Sequence, residues 1–207
     1  MARTKAADYE QQRDAILDAA AEVFAKNGFP ASSMAMLGRA CGASKARLYH
    51  YYESKDAILL DLLDRYTRRL IDIARQVETA SVPGPQRLDA MVRAFMREYA
   101  TSQTRQVVLL HDVDFLAGPQ RRKIRAQELE IVGLFRGAIA AAFPGRIPEN
   151  LLTAHTMMLF GMINWTFTWL KPDGRLSYDD FAKTVLRVLR EGIGTTMETS
   201  PREAALP

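Results

Sequence analysis

The chain has 207 residues, of which 48% are hydrophobic and 25% are charged, with 12 Gly, 9 Pro and a single Cys. This composition is that of an ordinary globular protein and excludes collagen-like, low-complexity and disordered chains. One cysteine excludes an intrachain disulfide framework and favours a reducing compartment. Because the start of the sequence also lacks the apolar stretch of a secretory signal, we expect a cytoplasmic protein.

Apolar residues recur at helical spacing along the chain, and Pro and Gly stand between the periodic segments. The predicted helices cover about residues 8–26, 33–40, 44–52, 55–79, 85–101, 104–116, 118–142, 151–170 and 176–192. No alternating pattern is long enough to predict a strand. The expected fold is therefore all-α with about nine helices.

The segment 151–170 is uncharged over a length that would span a bilayer. It contains His155, Asn164 and four threonines, and the chain has no second apolar segment of this kind, so a membrane span is disfavoured. A helix that is apolar on every side is more often buried in protein. We expect its own domain and a second subunit to cover it, which predicts an oligomer.

The segment 33–55 has the pattern of a helix-turn-helix. Gly42 can adopt the positive φ of a sharp turn, Ser44 can cap the second helix, and Gly38 allows two helices to approach closely. The apolar seam between the helices is predicted to consist of Leu37, Cys41, Ala43, Leu48 and Tyr52. The residues left facing outward are Lys45, Ala46, Arg47, Tyr49 and His50.

The net charge is concentrated in this same segment. Four basic residues and one acidic residue give residues 33–55 a formal charge of +3, out of +4 for the whole chain. A basic, outward helix face suits the phosphates of DNA. The alternative interpretation is two short core helices that are joined by a glycine turn.

The run from Gly42 to Lys55, GASKARLYHYYESK, resembles the N-terminal segment of the TetR family of transcriptional repressors, and the similarity spans roughly residues 9–60. The resemblance implies a homodimer that binds a palindromic operator in double-stranded DNA. It also implies an N-terminal DNA-binding domain over 1–54, an effector-binding and dimerisation domain over 55–195, and a flexible tail over 196–207. The residues implied in DNA binding are Ser33, Ser44, Lys45, Ala46, Arg47, Tyr49, His50 and Lys55. Of these, Ser33, Tyr49, His50 and Lys55 are expected on phosphates, and Lys45, Ala46 and Arg47 on bases.

The segment departs from the family pattern at four positions. Ala46 and Arg47 stand where a Gly-Thr pair is common, and Met36 and Gly38 stand where Asp and Ala are more usual. Arg47 is thus the unusual residue of the reading face. It either pairs with a guanine or binds a phosphate, and the sequence leaves both alternatives open.

Aromatic and methionine residues of the C-terminal part are core residues by default, but nine methionines favour an adaptable cavity that binds a small effector. The candidate ligand-binding residues are Phe95, Tyr99, His111, Phe115, Met158, Met162 and Trp165. Residues 164–174 also resemble a stretch of family members that sense acyl-CoA thioesters. The expected effector is therefore a hydrophobic, aromatic or acyl-thioester compound.

The sequence has no catalytic, nucleotide-binding or zinc-protease motif, so we expect neither enzymatic activity nor a cofactor. His111 and Asp114 share a helical face, but two ligands do not make a closed metal site, and no metal is expected. Two alternatives remain. One is a DNA-binding regulator without an effector, and the other is a helical small-molecule carrier or enzyme.

Overall fold

The computed structural model describes residues 2–80 and 82–194. Over these ranges the chain forms nine α-helices and no strand, which confirms the all-α prediction. The helices are α1 (Ala2–Asn27), α2 (Met34–Ala40), α3 (Lys45–Tyr51), α4 (Lys55–Thr79), α5 (Gly84–Thr101), α6 (Gln103–Asp112), α7 (Gly118–Ala142), α8 (Leu152–Asn164) and α9 (Tyr178–Gly194). Short 3₁₀ helices cover Val113–Phe115, Glu149–Leu151 and Trp165–Thr168.

The first helix begins earlier than predicted, at Ala2 instead of near residue 8. The first residues contain no apolar repeat, so periodicity gave no sign of a helix there. The predicted tail, residues 196–207, lies outside the described residues.

The uncharged stretch 151–170 is not one continuous helix. The α-helix ends at Asn164 and the backbone tightens into a 3₁₀ turn. In this turn the Thr166 hydroxyl donates to the carbonyl of Ile163 at 2.7 Å, and such local bonds compete with α-helical ones. Among the described residues, no helix is both long enough and apolar enough to cross a bilayer.

Serines and glycines set the boundaries of the first four helices. Ser33, Ser44 and Ser54 have extended backbones, and each hydroxyl accepts a hydrogen bond from the N–H three residues later, at 3.1–3.3 Å. Gly28 and Gly42 follow α1 and α2 with φ of 77° and 64°, a region that favours glycine. The predicted Ser44 cap and Gly42 turn are confirmed.

The helix-turn-helix is packed as its sequence predicts. Leu37, Leu48 and Tyr52 are buried, whereas Cys41 and Ala43 are half-buried. Gly38 lies so close to the turn that a β-carbon at this position would be 2.9 Å from the carbonyl oxygen of Ala43. The close approach inferred for Gly38 is therefore confirmed.

The long helix α4 joins the two halves of the molecule. It contacts α1 on one side and α5, α6 and α7 on the other. Its predicted apolar stripe is buried throughout, over Ile58, Leu59, Leu62, Tyr66 and Leu70. A displacement of α4 would therefore change the packing in both halves.

Candidate nucleic-acid interface and ligand cavity

The short helix α3 is anchored by one side chain. Leu48 is its only buried residue, with none of its surface exposed. The side chains predicted to face outward are all exposed, namely Lys45, Ala46, Arg47, Tyr49 and His50. A single leucine thus fixes the rotation of the helix and leaves the rest of its surface available to a partner.

The two cations of α3 have different surroundings. The ammonium of Lys45 lies 5.8 Å from the centre of the Tyr49 ring, and both side chains are exposed. The guanidinium of Arg47 donates one hydrogen bond, at 3.0 Å, to the amide oxygen of Gln12 on α1. A guanidinium has five donor hydrogens, so Arg47 keeps donors for a partner while α1 restricts its direction.

The other residues around this face are hydroxyl and aromatic groups. Ser33 and Ser44 accept backbone hydrogen bonds, which leaves each hydroxyl hydrogen free to donate to an anion. His50 is exposed and packs edge-on against Tyr51 and Tyr9, at centroid distances of 5.3 and 6.4 Å. The aromatic contact positions the imidazole without covering it.

The structure gives Lys55 a different role from the expected phosphate contact. Its ammonium donates to the carbonyl oxygens of Phe29, Pro30 and Ser32, at 2.9, 3.3 and 3.0 Å. It also lies 4.4 Å from the centre of the Phe29 ring. Because its ammonium donates to three carbonyl oxygens of the chain, Lys55 ties the loop between α1 and α2 to α4, and its phosphate contact stays a prediction.

An ion-paired cluster fastens the end of α3 to α4. Asp61 accepts hydrogen bonds from the Tyr52 hydroxyl at 2.6 Å, from Arg13 at 2.6 Å and from Arg65 at 3.0 Å. Arg65 continues the cluster to Asp14 on α1, at 2.7 Å. Partial burial alone would raise the pKa of Asp61, but the bonds from Tyr52 and Arg65 and the two positive charges outweigh it and lower that pKa.

A second candidate site is a cavity of about 460 Å³ in the C-terminal half. Helices α4 to α8 contribute its lining, which is mostly apolar. The lining residues are Tyr66, Leu70, Phe95, Tyr99, Gln106, Leu109, Leu110, Arg125, Glu128, Leu129, Ile131, Val132, Thr153, Met157, Phe160 and Asn164. Its size and apolar character are typical of small-molecule sites.

Two of the seven predicted ligand-binding residues, Phe95 and Tyr99, line this cavity. The other five, His111, Phe115, Met158, Met162 and Trp165, are not among its lining residues, and for them ligand binding stays a prediction. Phe115 instead stacks on Phe29 of the N-terminal half at 5.7 Å, and His111 packs edge-on against Phe167.

On α8, the predicted lining residues and the residues that line the cavity lie on different faces of the helix. Met157 lines the cavity, whereas its neighbour Met158 is 64% exposed, and Met162 packs partly buried against the core. Trp165 follows the last turn of α8 and is also 64% exposed. A stretch that is apolar on every side contains no information about which of its faces meets the cavity.

The polar groups of the cavity fall into two kinds. The Tyr99 hydroxyl donates to the amide oxygen of Asn164 at 2.9 Å and is satisfied. In contrast, the Tyr66 hydroxyl and the amide nitrogen of Gln106 are buried and have no hydrogen-bond partner in the part of the chain that the structure describes. Burial raises the pKa of Tyr66 well above its usual value. Sequence reasoning missed both groups, since neither stands out from an ordinary core or surface residue.

Among the described residues that line the cavity, only Arg125 has a cationic side chain, and it is already paired. Arg125 donates to Glu128 at 2.9 Å and to Asp114 at 3.1 Å. Burial raises the pKa of Glu128 despite this pairing. Within the described ranges, no group of three or more His, Cys, Asp or Glu side chains is arranged to hold a metal ion.

A helix-turn-helix that one long helix joins to a helical domain with an apolar cavity defines a DNA-binding regulator with a sensory domain. Two family profiles match this architecture. Residues 16–62 match "Bacterial regulatory proteins, tetR family", and residues 81–193 match "Tetracyclin repressor-like, C-terminal domain". The chain therefore belongs to the TetR family of transcriptional regulators.

Solved structures of family members agree with this assignment. A TetR-family regulator from Bordetella parapertussis is 38% identical, with a TM-score of 0.82 over 86% of this chain and 93% of that one. AibR, solved in complex with isovaleryl coenzyme A and operator DNA, is 26% identical, with a TM-score of 0.75 over 84% of this chain and 96% of that one. The similarity to each of them thus includes both halves of the molecule.

A further relative matches over a shorter range. The transcriptional activator FasR of Mycolicibacterium smegmatis is 31% identical over 111 residues. The alignment covers 54% of this chain and 50% of FasR, so the chain matches only half the length of that relative.

Proposed function

We propose that the chain is a homodimeric repressor that binds palindromic operator DNA and is released by a small effector. The observation that carries this proposal is the exposed, cationic face of α3 held in place by a fully buried leucine. Neutralisation of phosphates by such cations supplies most of the affinity for DNA. The repressor-like match over residues 81–193 and the operator complex of AibR support it.

The roles of the DNA-contacting residues follow from their chemistry. Ser33, Tyr49 and His50 present hydroxyl and imidazole groups that can donate to phosphate oxygens. Lys45, Ala46 and Arg47 are the base-reading residues, and Ser44 holds the first turn of the helix. A guanine contact by Arg47 predicts that Arg47→Ala relaxes selection at one base pair, whereas a phosphate contact predicts uniform weakening on all sequences.

The exposed apolar residues of the C-terminal helices support a homodimer. Met158, Trp165, Trp169 and Val188 are each about half exposed or more. Contiguous exposed apolar patches mark protein interfaces, and we propose that these side chains belong to one. Two recognition helices that lie about 34–36 Å apart would read successive major grooves of a palindrome. A chain that sediments as a monomer at micromolar concentration would contradict this part of the proposal.

The cavity supports control by an effector. The proposed division places DNA binding in residues 1–54 and effector binding and dimerisation in residues 55–195, with α4 at the boundary. An effector that fits the cavity only after α4 has shifted would separate the recognition helices and lower operator affinity. AibR was solved with an acyl thioester, which supports a hydrophobic or acyl-thioester effector for this chain.

The matched relatives are transcriptional regulators. By analogy, we propose that this chain acts on DNA in the cytoplasm and has no enzymatic role. The apolar cavity favours a ligand-responsive regulator over one without an effector. The exposed cations of α3 favour either regulator over a helical carrier or enzyme.

The test is a gel-shift titration on the DNA that flanks the protein's own gene, followed by transcription in vitro from the same fragment. We expect a single shifted complex and reduced transcription. When an effector is added, the complex should disappear and transcription should recover. Lys171→Ala, which removes an exposed cation far along the chain from α3, serves as the control and should bind like the parent. Increased transcription, as the name of FasR describes, would overturn the repressor assignment but not DNA binding.

A further inference from the structure

The cavity combines an apolar wall with two polar groups that have no partner. Tyr66 is 1% exposed and Gln106 is 2% exposed, yet the Tyr66 hydroxyl and the Gln106 amide nitrogen make no hydrogen bond with any of the described residues. Burying an unpaired polar group is costly, and most buried polar groups in folded proteins are paired. Both residues belong to the cavity lining, so their side chains adjoin the space that a bound molecule would occupy.

Both unpaired groups are hydrogen-bond donors. The amide nitrogen of Gln106 can only donate, and the hydroxyl of Tyr66 carries a proton that no acceptor in residues 2–80 and 82–194 receives. The other buried hydroxyl of the lining, that of Tyr99, is already bonded to Asn164. The cavity therefore has unmet donors, and their complement is an oxygen acceptor.

The charges of the lining exclude an anionic partner for these donors. Of the lining residues within the described ranges, Arg125 alone is cationic, and it is already paired with Glu128 and Asp114. A carboxylate inside the cavity would lose its hydration without gaining a counter-charge. A neutral carbonyl oxygen loses far less on burial and accepts two hydrogen bonds.

We propose that the cavity binds a neutral, mainly apolar group with one carbonyl oxygen, which accepts hydrogen bonds from the Tyr66 hydroxyl and the Gln106 amide. The inference rests on the proposed effector site and specifies its chemistry. Ketones, esters, amides and the acyl part of a thioester all share this group. The exposed rim residues Leu110, Leu129 and Met157 form an apolar entrance, which suits a ligand that extends beyond the cavity.

The experiment is calorimetric titration of the full-length protein, without DNA, with three matched series of graded chain length. These are phenylalkyl methyl ketones, the corresponding phenylalkanes and the corresponding phenylalkanoates. At the best length we expect the ketone to bind about tenfold more tightly than the hydrocarbon, the gain for two neutral hydrogen bonds, and more tightly than the carboxylate.

Matched variants locate the effect. Gln106→Leu and Tyr66→Phe should each reduce the ketone-to-hydrocarbon ratio severalfold. Gln103→Leu makes the same change on the same helix, but the Gln103 amide donates to the carbonyl of Leu170, away from the cavity lining. It should lower thermal stability and leave the ratio unchanged. Tyr66→Phe removes an unpaired hydroxyl, so its melting temperature without ligand should not fall below that of the parent.

Several results would overturn the proposal. These are equal binding of ketone and hydrocarbon, tighter binding of the carboxylate, no binding by any ketone, or a ratio that survives both cavity variants. An acyl N-acetylcysteamine thioester added to the series distinguishes a free carbonyl compound from an acyl thioester as the preferred source. These titrations contain no DNA. If the protein binds the ketone selectively but the ketone does not release operator DNA in the gel shift, only the proposed induction is contradicted.

Discussion

The two halves of the molecule are determined by their sequences in different ways. In the N-terminal half, serine caps, a glycine turn and one buried leucine determine α2 and α3 within a few residues, and the outer face is left to polar groups. In the C-terminal half, five helices leave a cavity of about 460 Å³ and two unpaired polar groups inside it. The comparison shows that local sequence signals determine the proposed DNA-binding unit. The proposed effector-binding unit has a core that is not completely filled, which leaves space for a ligand.

The largest expected effect is at the single anchor of α3. Leu48→Ala removes a fully buried side chain and should lower the free energy of unfolding by about 2–5 kcal/mol. Urea denaturation followed by circular dichroism measures this change. Leu129→Ala is the control, because Leu129 is 70% exposed and should cost little. If the two variants lose the same stability, α3 is not anchored as described.

Glycine-to-alanine substitution should act in opposite directions in the two halves. In Gly38→Ala the new β-carbon would meet the Ala43 carbonyl oxygen at 2.9 Å, so we expect destabilisation by about 1–3 kcal/mol. In Gly133→Ala, at an exposed position of α7, nothing lies within 4 Å of the new β-carbon, so the helix should gain about 0.5–1 kcal/mol. Thermal unfolding of both variants provides the comparison. A stabilising Gly38→Ala would contradict the close packing of the turn.

The ion-paired cluster between the halves should give a smaller, pH-dependent effect. The pKa of Asp61 is lowered in the folded chain, so its contribution to stability is present at neutral pH and is lost as the pH falls below about 4 through the folded value. Asp61→Asn should cost about 1 kcal/mol at pH 7, after allowance for its partial exposure. Denaturation of parent and variant at several pH values measures it. The difference between them should shrink on acidification, and a constant difference would contradict the pairing.

The N-terminal half was predictable because its determinants lie close together in the sequence. Ser44, Gly42 and Gly38 act through neighbours within a few residues, and α2, α3 and α4 begin and end within about one residue of their predicted bounds. Even so, the sequence did not show that the Lys55 ammonium is used by three carbonyls of the preceding loop. That role depends on a loop that returns to α4.

The cavity was less predictable because it depends on how five helices are rotated against one another. Periodicity shows that α8 is apolar, but it does not distinguish Met157 from Met158. Phe115 looked like a pocket aromatic and instead joins the two halves through Phe29. Tyr66 was predicted as part of a buried stripe, and its unpaired hydroxyl became apparent only in the structure.

The measurement that tests the central claim most directly is fluorescence anisotropy of an operator duplex over a range of salt concentrations, with the parent chain and the double variant Lys45→Ala, Arg47→Ala. The parent's logarithm of affinity should fall linearly with the logarithm of salt concentration, by about 0.9 per phosphate neutralised. The variant should bind more weakly, with a smaller slope, while its stability stays close to that of the parent because both side chains are exposed. Equal affinity and equal slope for the two proteins would contradict the claim that α3 docks on DNA.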